Sequence, residues 1–254
     1  MNRLELSVIV PVYNEEKRVS KTLKEAFAYL KAKRITAEVI VVDDGSSDKT
    51  VEVVGRFKKM ATPEQTLKIL KHTVNKGKGA AVKTGALTAK GNIVLYMDAD
   101  NATPLSEYEK FKPAFKNNVD VIVGSRAIDR KQVKVHQPLY REIIGRIGNI
   151  IIQLLVVPGI SDTQCGFKAF THNAAKTIFP LQTIERFGFD VELLYIARKR
   201  RFSMLETSVI WRDDPNTRVN ALRDSIRTFT ELFIIRWNDL KGLYRSRESD
   251  TSGS

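Results

Sequence analysis

The first half of the chain alternates short apolar runs with longer stretches in which apolar residues recur at helical spacing. Continuous runs rich in Val and Ile are typical of strands covered on both faces of a parallel sheet. Strands that alternate with helices form right-handed βαβ units, so we predict an α/β fold with a mostly parallel sheet flanked by helices. The predicted strands are Leu6–Val10, Val39–Val42, Leu67–Leu70, Ile93–Met97 and Val119–Val123, and the predicted helices are Glu15–Lys33, Ser47–Lys59, Lys78–Ala89 and Leu105–Phe115.

The pattern changes beyond about residue 130. Segment 143–160 is strongly apolar, but it contains an arginine and ends at a Pro-Gly pair, and a membrane span needs roughly 20 apolar residues. We predict a buried or interfacial helix there, then a helix at Asp190–Arg201 and a strand at Met204–Trp211. A last amphipathic helix over about 220–243 mixes aromatic and basic side chains, which is typical of a membrane interface. Packing of both apolar segments on the sheet or on a second subunit is the alternative.

Composition and charge narrow the possible partners. The chain has 254 residues, 43% hydrophobic and 28% charged, which suits a globular protein with a sizeable core. Its 42 Lys and Arg against 29 Asp and Glu give a formal net charge of +13, which favours an anionic partner such as nucleotide phosphate, an acidic membrane surface or nucleic acid. We expect a main domain at 1–215, an interfacial amphipathic helix at 216–244 and a disordered tail at 245–254. The apolar stretch at the N-terminus is too short for a signal peptide, so we expect a soluble intracellular chain.

Polar residues follow four of the predicted strands, where core packing does not require them. Ligands of open α/β sheets bind outside the carboxyl ends of the strands, so these residues define the candidate site. The candidate residues in these segments are Pro11, Tyr13 and Glu15 after the first strand, Asp43 and Asp44 after the second, Asp98 and Asp100 after the fourth, and Ser125 and Arg126 after the fifth.

The two carboxylates of Asp98-Ala99-Asp100 are candidate ligands for a divalent cation. Mg²⁺ or Mn²⁺ is typically held by one or two carboxylates together with substrate phosphates and water. The alternative is a solvated loop or a helix cap, but acidic residues after a neighbouring strand favour the metal site. Asp43 and Asp44 suit the N–H and O–H groups of a nucleobase and a ribose, although Ser47 or Asp48 near them can cap the next helix.

Basic residues supply candidate phosphate ligands. The lysines and glycines of Asn75-Lys76-Gly77-Lys78-Gly79 precede a helix, and a helix N-terminus attracts phosphate. The segment is not a P-loop, and a dinucleotide fingerprint is missing after the first strand, which argues against a dinucleotide cofactor. Arg126, Arg141 and Lys168 are further candidates, with an exposed surface charge as the alternative for each. The single cysteine, Cys165, excludes an intrachain disulfide, and the three histidines lack metal-ligand spacing.

Seven segments together carry a family resemblance over about residues 5–215. In chain order they are SVIVPVYNEE, VVDDGSSDKT, NKGKGAAVKTG, YMDAD, GSR, DTQCGFKAF and ERFGFDVELLYIA. The chain resembles family 2 glycosyltransferases of the GT-A fold, and within them the polyprenyl-phosphate (dolichyl-phosphate) glycosyltransferases. The segments DADNAT, DTQCGFK and FGFDVELLYIA look closer to the dolichyl-phosphate β-glucosyltransferases than to the mannose synthases.

The resemblance implies a role for each candidate residue. Asp98 and Asp100 would bind the metal ion that bridges the diphosphate of the sugar nucleotide, and Arg126 and Arg141 would hold the acceptor phosphate. Asp190 occupies the position where many relatives place a general base. The remaining donor-site residues are Pro11, Tyr13, Glu15, Asp43 and Asp44 around the nucleoside, with Lys78, Ala99 and Lys168 beside them.

The resemblance therefore implies an inverting hexosyltransferase that moves glucose from UDP-glucose onto a polyprenyl phosphate with Mg²⁺ or Mn²⁺. GDP-mannose as the donor and a non-lipid acceptor are the alternatives that stay open. We expect the protein to lie on the cytoplasmic face of a membrane, where a lipid acceptor would be found. We do not expect a nucleic-acid partner, because the excess basic charge flanks apolar helices and no nucleic-acid-binding module is recognised.

Overall fold

A computed structural model describes residues 4–128, 158–212 and 221–245, with only the backbone given for residues 221–229. Arg141, most of the predicted helix at 143–160 and the tail beyond residue 245 lie outside the described residues.

In the described part of the chain, seven strands form one mixed sheet, and six of them run parallel to one another. Five of these strands were predicted from their apolar runs, and the sixth, at Met204, ends three residues earlier than predicted. The seventh strand, Phe167–Thr171, runs in the opposite direction and pairs antiparallel with both of its neighbours. It was not predicted from the sequence. In chain order the strands are β1 (Leu6–Val12), β2 (Ala37–Asp43), β3 (Gln65–Lys71), β4 (Ile93–Met97), β5 (Val121–Ser125), β6 (Phe167–Thr171) and β7 (Met204–Ser208), and their order in the sheet is β3-β2-β1-β4-β6-β5-β7.

The described helices follow the prediction with three differences. The helix predicted over Ser47–Lys59 is an α-helix at Thr50–Arg56 followed by a 3₁₀ helix. The helix predicted over Leu105–Phe115 is a 3₁₀ helix at Leu105–Lys110 followed by a short α-helix, because Pro113 cannot donate the backbone hydrogen bond that a continuous helix needs there. The helix at His172–Leu181 was not predicted. The α-helices are α1 (Val19–Ala32), α2 (Thr50–Arg56), α3 (Lys78–Thr88), α4 (Lys112–Lys116), α5 (His172–Leu181), α6 (Phe189–Lys199) and α7 (Ala221–Leu240), with a 3₁₀ helix at Phe57–Met60 after α2.

Two apolar layers cover the two faces of the sheet. Alternate residues of β1 point to opposite faces: Val8 and Val10 pack with α1 and the 3₁₀ helix at Leu105, whereas Ile9 packs with α3, α5 and α6. All seven residues of β1 and of β2 are buried, as expected for strands covered on both faces. The result is the three-layer α/β architecture predicted from the sequence, and that prediction is confirmed.

The sheet gathers the candidate residues at one edge. The parallel strands β1, β2, β4 and β5 end at Val12, Asp43, Met97 and Ser125, and the polar segments follow directly. Because β6 runs the other way, the segment 158–166 that leads into it reaches the same edge. The site is therefore built from the ends of five strands.

Candidate active site

Asp98 and Asp100 lie in the turn after β4. The Asp98 side chain is 36% exposed, and Asp100 Oδ1 accepts a hydrogen bond from the backbone N–H of Ala102 at 3.0 Å. The carbonyl oxygen of Ala99 between them accepts the hydroxyl of Thr22 on α1, which fixes the turn against that helix. One carboxylate is thus open to the site, and the other is held by its own loop.

Gly166 makes room for the Asp98 carboxylate. A Cβ atom built on Gly166 would lie 2.1 Å from Asp98 Oδ2 and 2.5 Å from Cγ, far closer than any real contact. The backbone that enters β6 therefore forms a wall of the site, and only glycine lets it approach the carboxylate this closely.

The charges around this turn favour a bound cation. Burial, together with repulsion by the neighbouring charge of Asp98, raises the pKa of Asp100 to about 6. The ammonium group of Lys78, the first residue of α3, lies 2.5 Å from Asp98 Oδ1 and offsets part of that repulsion. Burial would lower the pKa of Lys78, but the charges of Asp98, Asp190 and Asp100 raise it above its usual value, which keeps the lysine positive. Within the described ranges, no group of three or more His, Cys, Asp or Glu residues forms an all-protein metal centre.

Asp190 sits at the N-terminus of α6 and is almost fully buried. Its Oδ1 accepts hydrogen bonds from the Tyr96 hydroxyl on β4 and from the Lys168 ammonium on β6, each at 2.5 Å. Lys168 has no exposed surface, and its Nζ also donates to the carbonyl oxygen of Cys165 at 2.6 Å. The structure therefore gives Lys168 a partner inside the fold, in place of the phosphate that the sequence led us to expect. A buried lysine and a buried aspartate stabilise each other's charge only as a pair.

The residues predicted around the nucleoside come together at the ends of β1 and β2. Pro11 is buried in β1, the Tyr13 side chain is 43% exposed, and Glu15 pairs with Arg18 through two hydrogen bonds. Asp43 is 4% exposed, and its carboxylate accepts the backbone N–H of Ser46 at 3.3 Å. An exposed ring, a proline and a nearly free carboxylate on neighbouring strands suit a base and a ribose.

Asp44 has a structural role that its position did not reveal. Its carboxylate accepts the backbone N–H groups of Lys76 at 3.0 Å and Gly77 at 2.7 Å, and it contacts His72 Nδ1 at 2.7 Å. These internal donors satisfy the charge that we expected a ligand to satisfy. Asp44 thus anchors the loop before α3 to the end of β2.

The N-terminus of α3 is likewise occupied by the protein rather than left open to phosphate. The backbone N–H of Ala80 donates to the carbonyl oxygen of Glu185 at 2.9 Å. A Cβ atom on Gly77 or Gly79 would lie 2.5 or 2.7 Å from carbonyl oxygens of the segment before α6. The glycines therefore permit close packing of that segment, and Lys78 is the residue of the loop that contacts Asp98.

Arg126 follows β5 and is held by Asp162, a residue that sequence analysis did not single out. Arg126 donates to the Asp162 carboxylate from Nε at 2.7 Å, from Nη2 at 2.8 Å and from its backbone N–H at 2.9 Å. Its guanidinium carbon lies 5.5 Å from the centre of the Trp211 ring. Burial opposes the charge on Asp162, but the guanidinium outweighs it and lowers the pKa of the carboxyl group. The DTQCGFK segment was the available sequence signal for this contact.

The C-terminal helix α7 packs one face on the domain and exposes the other. Leu232 and Ile235 are buried, and Glu231 accepts the backbone N–H of Gly188 at 2.7 Å, next to the start of α6. The opposite face carries Phe233 and Trp237, which are 73% and 58% exposed. Of the helices in the described part, none is long and apolar enough to cross a membrane.

Comparison with known proteins agrees with this architecture. The family model "Glycosyl transferase family 2" matches residues 7–179. A dolichyl-phosphate β-glucosyltransferase of Trichomonas vaginalis is 43% identical over 218 residues, which are 82% of this chain and 66% of that protein. The dolichyl-phosphate β-glucosyltransferase of Dictyostelium discoideum is 35% identical over 256 residues, which are 96% of this chain and 78% of that protein.

A solved structure with the same fold is glucosyl-3-phosphoglycerate synthase from Mycobacterium tuberculosis, crystallised with Mn²⁺, UDP-glucose and phosphoglyceric acid. It matches with a TM-score of 0.65 and 16% identity, covering 91% of this chain and 79% of that chain. At this identity the likeness shows the fold alone, and the GT-A prediction is confirmed. The match over residues 7–179 and the relatives at 35% and 43% identity establish that the chain belongs to glycosyl transferase family 2.

Proposed function

We propose that the protein transfers glucose from UDP-glucose to a polyprenyl phosphate of the dolichyl phosphate type. The observation that carries the proposal is the 43% identity, over 82% of the chain, to a protein named dolichyl-phosphate β-glucosyltransferase. Glucose as the transferred sugar is supported by the second relative as well, which is also named a dolichyl-phosphate β-glucosyltransferase. The described site adds a carboxylate pair, the cluster of Pro11, Tyr13 and Asp43, and an oriented arginine at one sheet edge.

The residues at the turn after β4 fit a divalent cation. Two carboxylates with mutually unfavourable charges, one of them open to the site, match the way Mg²⁺ or Mn²⁺ is held between protein and substrate phosphates. Asp98 and Asp100 would hold the ion. When bound, it supplies the positive charge that offsets the charge of the leaving diphosphate. Lys78 brings a second positive charge to the same place.

The transfer itself needs alignment more than proton removal. An oxygen of the acceptor phosphate attacks the anomeric carbon of glucose, the bond from that carbon to UDP breaks, and its electron pair leaves with UDP. A phosphate monoester with a second pKa of about 6 is largely a dianion at neutral pH, so it has no proton to lose. Arg126 would orient that dianion, and alignment of two reactants can supply roughly 7–11 kcal/mol of the barrier.

In this reaction Asp190 is not needed as a general base and serves to hold neighbouring groups in place. Its carboxylate is nearly buried and already accepts hydrogen bonds from Lys168 and Tyr96. An acceptor hydroxyl, as on a soluble glycan, would require a general base and would make Asp190 essential. With a phosphate acceptor, Asp190 holds the start of α6 and Lys168 in place beside the sugar.

A lipid acceptor also gives a role to the exposed face of α7. Phe233, Trp237 and Leu240 recur at helical spacing on that face, and Arg236 and Lys241 are exposed beside them. Lys241 Nζ lies 5.2 Å from the centre of the Trp237 ring, so basic and aromatic groups are interleaved. An apolar stripe bordered by positive charge matches the surface of an anionic membrane, where each basic residue contributes about 1 kcal/mol.

Donor binding and transfer test the proposal in sequence. Isothermal titration calorimetry with Mn²⁺ present should show binding of UDP-glucose in preference to GDP-mannose, and radiolabelled glucose should then appear in a lipid phosphate product. Preference for GDP-mannose would replace the donor and keep the reaction type. Transfer to a soluble sugar but not to a polyprenyl phosphate would overturn the acceptor.

A further inference from the structure

The side chain of Arg126 is fixed on one of its two hydrogen-bonding edges. A guanidinium group carries five N–H donors in a rigid plane. Asp162 binds the edge formed by Nε and Nη2, at 2.7 and 2.8 Å. Among the described residues, none accepts a hydrogen bond from Nη1. With respect to the described residues, the end-on edge with both Nη atoms is therefore open, and the side chain is 34% exposed.

A phosphate group fits the edge that remains. Guanidinium groups bind phosphate through two parallel N–H···O bonds, and the pair of Nη atoms offers that geometry. The Trp211 ring, 5.5 Å from the guanidinium carbon, limits rotation of the group on one face. Arg126 is thus presented in one orientation before any ligand arrives.

Asp162 is itself held by a second carboxylate. Glu206 on β7 accepts the backbone N–H of Ser161 at 2.8 Å on Oε2 and that of Asp162 at 2.7 Å on Oε1. In the sheet, Glu206 pairs in register with Val123 of β5, the strand that leads to Arg126. A continuous series of contacts therefore runs from Glu206 through Asp162 to the guanidinium group.

We propose that Asp162 is the positioning residue that presents Arg126 to the phosphate of the acceptor, with Glu206 fixing the backbone of Asp162. This rests on the proposed function, in which Arg126 binds that phosphate. A long, flexible arginine loses much conformational freedom when it binds a ligand, and a side chain that is already fixed loses less. The contact to Asp162 thereby favours acceptor binding without touching the acceptor.

The test uses Asp162→Asn in the full chain, with farnesyl phosphate in detergent micelles as the acceptor and UDP-glucose with Mn²⁺ as the donor. The variant keeps the size of the side chain but removes its charge and one acceptor oxygen. We expect the KM for farnesyl phosphate to rise about 10- to 100-fold, because a misplaced binding group costs about that much. The Kd of UDP, measured by calorimetry, should stay within about twofold, because the Asp162 carboxylate contacts Arg126 and none of the residues proposed to hold UDP.

Two comparisons separate positioning from a general structural effect. In an Arg126→Ala background, Asp162→Asn should not raise the acceptor KM further, because its whole effect passes through Arg126. Asp120→Asn is the matched control, since Asp120 accepts the backbone N–H of Ser203 at 3.0 Å at the opposite end of β5. That control should leave the acceptor KM unchanged.

The outcomes distinguish this proposal from the proposed function. A raised KM in Arg126→Ala with an unchanged KM in Asp162→Asn overturns the positioning role and keeps the acceptor site. If Asp162→Asn raises the acceptor KM equally in the wild-type and Arg126→Ala backgrounds, the positioning role is also overturned. An unchanged KM in Arg126→Ala refutes Arg126 as the phosphate ligand, and no transfer by the wild-type protein refutes the proposed function. If Asp162→Asn does not fold, Glu206→Gln is compared in the same two backgrounds and should give a smaller increase that again needs Arg126.

Discussion

Replacement of Gly166 by alanine should inactivate the protein without unfolding it. The added Cβ would lie 2.1 Å from Asp98 Oδ2, whereas ordinary contacts begin at 3.4 Å, so the carboxylate must move by more than about 1 Å. Asp98 is 36% exposed and can rotate towards solvent, which relieves the clash at the end of a flexible side chain. The backbone and the core then stay in place while Asp98, the proposed metal ligand, leaves its position.

The expected magnitudes follow from this geometry. A displacement of 1 Å at a reacting group costs about 100-fold in rate, so kcat/KM should fall by about that factor. The free energy of unfolding should fall by less than about 1 kcal/mol, because the clash falls on a surface group. Gly55→Ala is the matched control: its Cβ meets nothing within 4 Å, and in a helix it should stabilise the protein by about 0.5–1 kcal/mol with no change in rate.

Three measurements decide the matter: the rate of glucose transfer, binding of Mn²⁺ with UDP by calorimetry, and the thermal unfolding temperature. Gly166→Ala should weaken metal-dependent UDP binding as well as transfer. Wild-type binding of Mn²⁺ and UDP by Gly166→Ala would refute the reasoning, because Asp98 would then be shown not to need this space. A large fall in the unfolding temperature would also contradict the prediction, because it would show that the backbone moves to relieve the clash and that the Asp98 side chain does not.

Other predictions follow from the same contacts. Asp98→Ala should nearly abolish transfer, whereas Asp190→Asn should cost less in kcat, and an active Asp98→Ala enzyme would exclude the metal assignment. Lys168→Met leaves the buried Asp190 without its ion-pair partner, with the Tyr96 hydroxyl still as a donor, and should lower the free energy of unfolding by about 3–5 kcal/mol in urea denaturation. A loss below about 1 kcal/mol would show that the ion pair contributes little to stability. Joint replacement of Phe233 and Trp237 by alanine should reduce flotation with anionic liposomes about 10- to 100-fold at low salt, and unchanged flotation would remove α7 from the membrane interface.

The parts of the structure that the sequence predicted are those fixed by local pattern. Strands such as β1 and β4 are continuous apolar runs, and the position of a carboxylate after such a run places it at the sheet edge. The strand β6 escaped prediction because Lys168 interrupts its apolar character, and burial of that lysine depends on Asp190, which lies 22 residues further along the chain. The sequence also did not predict that Asp44 anchors the loop before α3, because its hydrogen-bond partners are backbone N–H groups more than 30 residues away. The contact of Asp162 with Arg126 spans 36 residues and has no periodic signature.

Among the described strands, the reversed strand β6 determines how far the turn with Asp98 lies from the turn with Arg126. Because β6 separates β4 from β5, the turn with Asp98 and the turn with Arg126 are two strand spacings apart, about 10 Å. On the proposed assignment, that interval must accommodate one sugar between the departing diphosphate and the incoming phosphate. This distance is fixed by the hydrogen bonds between the strands and does not depend on the conformation of a loop. Loop substitutions can therefore alter which sugar is accepted, but the distance between the two turns is set by the sheet.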